Sequence, residues 1–158
     1  MEKSLQIKYE EFAHWNELPE EDIELVEKAY HVSSTAYAPY SNFYVGASLR
    51  MEDDSLVLGS NQENIAYPSG LCAERVALFY AGAIYPNLKI KKICVVAKGD
   101  LIPKDNWVSP CGSCRQVMAE SQNRQKESIQ VILVSQNNRV LVFHSVSDLL
   151  PFVFNSPL

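Results

Sequence analysis

The stretch SPCGSC, residues 109–114, places two thiols three positions apart behind a proline. Proline suits the first turn of a helix, so CGSCRQVMAESQ reads as a helix opening near Pro110. Cysteines at i and i+3 can share one tetrahedral ion. A third thiol, Cys72, opens another helical pattern, LCAERVALFYAGAIY. If all three thiols serve one site, the chain has to fold so that two helix starts meet.

The rest of the chain is compatible with that demand. PEEDIELVEKAYHVSSTA predicts a helix, with Pro19 at its start and Glu20, Glu21 and Asp22 in the favourable first turn. Ile23, Val26, Ala29 and Tyr30 recur at helical spacing, and Pro39 disfavours helical geometry at Ala38. FYVGASLRM and LVLGS read as strands joined by EDDS, a hairpin. NQENIAYPSG is a polar, turn-rich loop. The β-branched run IKKICVVAKG predicts a buried strand, and SIQVILVS and RVLVFHS predict two more. The alternation of helix and strand favours a mixed sheet with helices on its faces. By the usual crossover rules, the helices on either side of IKKICVVAKG start at the same end of that sheet. Residues 1–18 read as an N-terminal extension, with a short strand possible where Leu5, Ile7 and Tyr9 alternate with polar residues; residues 19–158 read as one domain.

The four cysteines divide three to one. Cys94 sits between Ile93 and Val95 in an apolar run, where a cysteine behaves as a small buried hydrophobe. Cys72, Cys111 and Cys114 remain. Three thiolates with a water in the fourth position make an open, catalytic zinc site rather than a closed structural one. Helix N-termini lower thiol pKa and favour the ligating form. Arg75 and Arg115, each beside a candidate ligand, either offset thiolate charge or are solvated surface arginines. Glu74, two residues after Cys72, is either a helix-dipole carboxylate or an acid–base group. Cys111 and Cys114 also fit a redox pair.

Charge and composition narrow the function. The net charge is −5 and no block of consecutive Lys or Arg appears, which argues against a nucleic-acid groove. No apolar run approaches the ~20 residues of a membrane span. The start, MEKSLQIKYEEFAHWNELPEED, is too acidic and broken for a secretory signal, so the chain is expected in the cytoplasm, where thiols stay reduced.

Four segments then carry a resemblance: AYAPYSNFYVGASL (36–49), SNQENIAYPSGLCAER (60–75), SPCGSCRQVMAE (109–120) and LLPFVF (149–154). Together, and in this order, they resemble the cytidine deaminase family, the small homotetrameric zinc enzymes that act on free nucleosides. The wider zinc deaminase class carries H-x-E followed by P-C-x-x-C. Here Cys72 stands in place of the histidine, giving C-A-E.

The resemblance implies a three-layer α/β sandwich with a five-stranded mixed sheet flanked by helices. It implies one zinc per chain on Cys72, Cys111 and Cys114, an activated water attacking C4 of the pyrimidine, and Glu74 moving the protons. Asn61 and Glu63 match the family's ribose-binding pair, Phe43 lines its base pocket, and the Ala73 backbone contacts the water or the carbonyl oxygen. Tyr67 and Phe154 match aromatics that complete a neighbouring subunit's site, which implies a homotetramer. The implied reaction is hydrolytic deamination of cytidine and 2'-deoxycytidine in pyrimidine salvage, with a small nucleoside as partner and neither nucleic acid nor membrane. Rivals are a deaminase of another aminated heterocycle, such as blasticidin S, a zinc-stabilised binding module, and a thiol redox protein.

Overall fold

A computed structural model describes residues 1–155. Its elements are β1 (Glu10–Phe12), α1 (Glu20–Ser33), β2 (Tyr44–Met51), β3 (Leu56–Ser60), α2 (Ala73–Ile84), β4 (Ile90–Lys98), α3 (Gly112–Gln125), β5 (Gln130–Val134) and β6 (Val140–Phe143). One mixed sheet runs β1-β6-β5-β4-β2-β3. The expected layers are present, but the sheet has six strands rather than five.

The sixth strand is β1, which pairs antiparallel with β6 at Glu10–Val142, Glu11–Leu141 and Phe12–Val140. It lies just beyond Leu5, Ile7 and Tyr9, the alternating residues that suggested a strand. Its side chains are mostly exposed, so they carry no apolar alternation. Residues after it also pack on the sheet: the Trp15 amide donates to the Asn138 carbonyl at 3.0 Å, and Leu18 is buried.

α1 follows its sequence signals at the start, with Pro19 as N-cap. It ends at Ser33, before the proline at 39 can act. The hydroxyls of Ser33, Ser34 and Thr35 donate to the carbonyls of Tyr30, His31 and Val32, offering the backbone an alternative to further helix.

β4 is the spine of the fold. Its neighbours along the chain point alternately to opposite faces. Ile93 and Val95 join the core beneath α2 and α3, with Leu49, Met118 and Leu133. Cys94 and Val96 join the core beneath α1, with Leu25, Val26, Ala29 and Ile132. Each fully buried Leu, Ile or Val contributes roughly 1.5–3 kcal/mol. Cys94 is therefore held on the face opposite α2 and α3.

Topology brings the helix starts together. β3 and β4 are both antiparallel to β2, so they run the same way, and β4 is parallel to β5. The crossovers β3–α2–β4 and β4–α3–β5 step in one direction across the sheet, which places both helices on one face. Each helix begins at the carboxyl end of the preceding strand.

Two glycines set how closely helices sit. A Cβ on Gly59 in β3 would lie 2.6 Å from the Ala73 carbonyl oxygen and 2.6 Å from the Ala77 nitrogen. The first turn of α2 thus rests directly on strand backbone. On the other face, a Cβ on Gly46 in β2 would lie 1.9 Å from the Ala29 carbonyl oxygen.

Candidate metal centre

Cys72 and Cys111 occupy equivalent places. Each is the extended N-cap of its helix, with φ −69° and ψ 154° for Cys72 and φ −65° and ψ 166° for Cys111. Each carbonyl accepts the first helical hydrogen bond, from Val76 at 3.1 Å and from Arg115 at 3.0 Å. Neither side chain caps its helix, which leaves both sulfurs available. Cys114, one turn into α3, is fully buried.

The three Sγ atoms lie within 4.8 Å of one another, with Cys72–Cys111 at 4.0 Å and Cys111–Cys114 at 3.5 Å. Zinc–sulfur bonds of about 2.3 Å in a tetrahedron put sulfurs about 3.8 Å apart. The donor set therefore fits zinc. Among the described residues, no other group of three or more His, Cys, Asp or Glu converges in this way.

Electrostatics at the cluster are asymmetric. The Cys114 thiol, above all, pulls Cys72 down to about 5 against the cost of burial, and Arg75 adds to the effect. Arg75 Nη2 stands 3.5 Å from the Cys72 sulfur. Cys114 is pushed up because its proton is held by Cys72 and by burial. Negative charge thus collects first on the sulfur facing the arginine. The other arginine does neither of the two things expected of it. Arg115 donates to the Pro110 carbonyl at 2.9 Å, to the Leu149 carbonyl at 2.9 Å and to Ser109 Oγ at 2.7 Å, so it clamps the loop and the C-terminal segment around α3.

Glu74 is the second residue of α2 and only 4 % exposed. Burial pushes its carboxyl up to about 7, opposed by its own amide and by Cys114. A carboxyl balanced near neutrality beside a metal-ligating cluster suits proton transfer. Ala73, at the first helical position, is fully buried, and helix geometry gives its amide no intrahelical acceptor.

The remaining candidates lie just beyond β3 and in the segment that leads into β2. Asn61 follows β3 and is 9 % exposed. Its Oδ1 accepts from the Val45 amide at 2.8 Å and its Nδ2 donates to the Phe43 carbonyl at 2.8 Å. Glu63 accepts from the Tyr40 amide at 3.0 Å, from the Ser41 amide at 3.3 Å and closely from Ser41 Oγ. The Ser41 hydrogen bond, above all, holds the Glu63 carboxyl below its usual range. Both side chains thus grip the segment that carries half-buried Phe43. Nothing in the sequence marks Ser41, an ordinary turn residue without its partner 22 positions away.

Tyr67 and Phe154 are 92 % and 87 % exposed, so neither closes a site within its own chain. Two clefts of about 290 and 420 Å³ lie away from the cysteines, one around Tyr85, Leu88 and Arg124, the other around Trp15, Tyr30 and Lys98.

Residues 19–139 match the family described as "Cytidine and deoxycytidylate deaminase zinc-binding region". The chain is 43% identical over 96 residues to a cytidine deaminase of Halalkalibacterium halodurans, covering 61% of this chain and 68% of that one. It superposes on the crystal structure of cytidine deaminase from Burkholderia pseudomallei with a TM-score of 0.72 and 39% identity, covering 84% of this chain and 98% of that one. The cytidine deaminase structure from Mycobacterium tuberculosis gives a TM-score of 0.66 at 27% identity, over 85% and 97% of the two chains.

Proposed function

This chain belongs to the cytidine and deoxycytidylate deaminase zinc-binding family, and from that premise we propose that it hydrolyses cytidine and 2'-deoxycytidine to uridine and 2'-deoxyuridine with release of ammonia. It is a zinc enzyme of that family. The observation that carries the reading is a buried carboxyl, Glu74, set two residues from one of three converging sulfurs.

Cys72, Cys111 and Cys114 would hold the ion. When bound, zinc supplies Lewis acidity that makes water nucleophilic near neutral pH. Glu74 takes a proton from the attacking water, passes it to ring N3, and later helps protonate the departing amine. Its low exposure keeps bulk water from competing for that proton. The balance is one water in, one ammonia out. The Ala73 amide, left free at the helix start, offers a donor to the oxygen that becomes the product carbonyl. Phe43 lines the base, and Asn61 and Glu63 hold the sugar. Arg75 keeps the charge of the thiolate set in check.

The enzyme acts as a homotetramer in cytoplasmic pyrimidine salvage, on free nucleosides rather than nucleic acid. Support for assembly comes from exposed Phe79, Tyr80 and Ile84 on α2 and from Tyr67 and Phe154, which lack cover in the single chain. Their burial against neighbouring copies would also close the site.

The test is ammonia release from cytidine by zinc-loaded protein, repeated after chelation and after zinc is restored. Activity that falls and returns with the metal is expected; no ammonia from cytidine or deoxycytidine ends the reading. A panel containing blasticidin S separates the nucleoside from other aminated rings. Sedimentation velocity is expected to give a four-chain mass, and a monomer at assay concentration rules the tetramer out.

A further inference from the structure

We propose that Ser41 is a positioning residue that aims the Glu63 carboxylate at a sugar hydroxyl of the nucleoside, and so sets the enzyme's grip on the sugar. The inference rests on the deaminase reading and deepens it. The main chain around Glu63 is already fixed without Ser41. The Tyr37 amide donates to the Asn61 carbonyl at 3.0 Å, and the Glu63 amide donates to the Tyr37 carbonyl at 2.8 Å. Asn61 ties the same stretch to Phe43 and Val45 through its amide. What remains free is the direction of the Glu63 side chain.

Ser41 removes that freedom. One carboxylate oxygen of Glu63, Oε2, accepts from the amides of Tyr40 and Ser41. The other, Oε1, accepts from Ser41 Oγ. The direction of that last bond is settled by its neighbour. Ser41 Oγ also accepts from the Phe43 amide at 3.1 Å, so its single proton goes to Glu63. Two fixed oxygens define the carboxylate plane; the two amides fill the lone-pair sites of Oε2, and Oε1 keeps one for a ligand. The same hydroxyl thereby links Glu63 to Phe43, so the grip on the sugar and the wall of the base pocket move together.

Without the hydroxyl, Oε1 loses its donor and the carboxylate can turn about the Oε2 anchor. Sugar contacts hold substrate and transition state alike, so the loss falls on KM rather than on kcat. Ser41→Ala is expected to raise KM for cytidine about tenfold, as for one lost hydrogen bond to a charged group. kcat should stay within about twofold, and Ser41→Thr, which keeps the hydroxyl, should recover most of the loss.

The deciding comparison uses wild type and Ser41→Ala with cytidine, 2'-deoxycytidine and 3'-deoxycytidine. If Ser41 acts through Glu63 on one hydroxyl, the KM penalty collapses for the analogue that lacks it. An equal penalty on all three, or a fall in kcat with KM unchanged, overturns the proposal. Should the alanine variant fail to fold, Ser41→Cys keeps the volume and weakens the hydrogen bond, and is judged by the same comparison. The wild-type arm separates the two claims: no ammonia from cytidine sinks the deaminase reading, whereas an active wild type leaves the variants to decide on Ser41 alone.

Discussion

On the α1 face of the sheet, Asp22 and Arg50 are 4 % and 6 % exposed, and each has its counter-charge. Lys92 reaches Asp22 at 2.7 Å, and Glu24 meets Arg50 at 2.6 Å. On the α2/α3 face, Glu74 is as buried, yet no cation pairs with it among the described residues. Burying a charge without a partner is costly, and a carboxyl so placed takes up a proton more readily. One face uses burial to hold ions in place. The other uses it to keep a proton within reach. The cysteines divide along the same line. Cys94 on the α1 face is pushed far up by burial and stays a thiol, whereas Cys72 is drawn down by its neighbours.

The sharpest way to break this contrast is Glu74→Gln. The amide keeps shape and burial but cannot transfer a proton. Activity should fall by about 10²–10⁴, while zinc content and melting temperature stay close to wild type. A near-normal rate would remove the distinction between the faces.

The two glycines offer a matched pair. Gly46→Ala and Gly59→Ala each force a helix away from its strand, with an overpacking cost of about 1–3 kcal/mol or more. At about 2–4 °C per kcal/mol, both shifts are readable as melting temperatures. They should differ in function. Gly59→Ala moves the turn carrying Cys72 and Glu74, so zinc affinity and kcat fall; Gly46→Ala moves α1 only, and the folded fraction should turn over normally. Equal kinetic damage from both would deny that the two faces are independent.

Asp22→Asn sharpens the α1 side. Lys92 keeps Glu21 as a second partner, so the expected loss is about 1–3 kcal/mol rather than that of a stranded charge. The turnover rate should not change. Cys94→Ala has the smallest expected effect, about 1 kcal/mol, with no loss of bound zinc; a loss of metal would place Cys94 among the ligands after all.

Much of this was readable from the chain. Cys72 with Glu74, and Cys111 with Cys114, are each local in sequence, and the crossover topology of the strands between them is what lets the two pairs be expected together across 39 residues. β4 announced itself because its residues 93–97, buried on both faces, are an unbroken apolar run. The contacts around the site were not readable. Ser41 and Glu63 hold each other across 22 residues, and Arg115 reaches Leu149 across 34, and no spacing rule encodes a side chain meeting backbone at that distance. β1 escaped for a different reason. Its pairing is made by backbone against β6, while Glu10 and Glu11 face water and only Phe12 is half-buried, too little for a periodic trace.

That short strand also bears on how the protein behaves at high concentration. A sheet margin offers unpaired amides and carbonyls that another polypeptide can extend, the first step towards fibrils. Here the margin beside β6 is closed by only three residues, two of them glutamates, Glu10 paired to His144 and Glu11 to Arg139. So brief and acidic a border gives a visiting strand little to zip onto, and trimming it away would lay bare the apolar VLVF ribbon behind it.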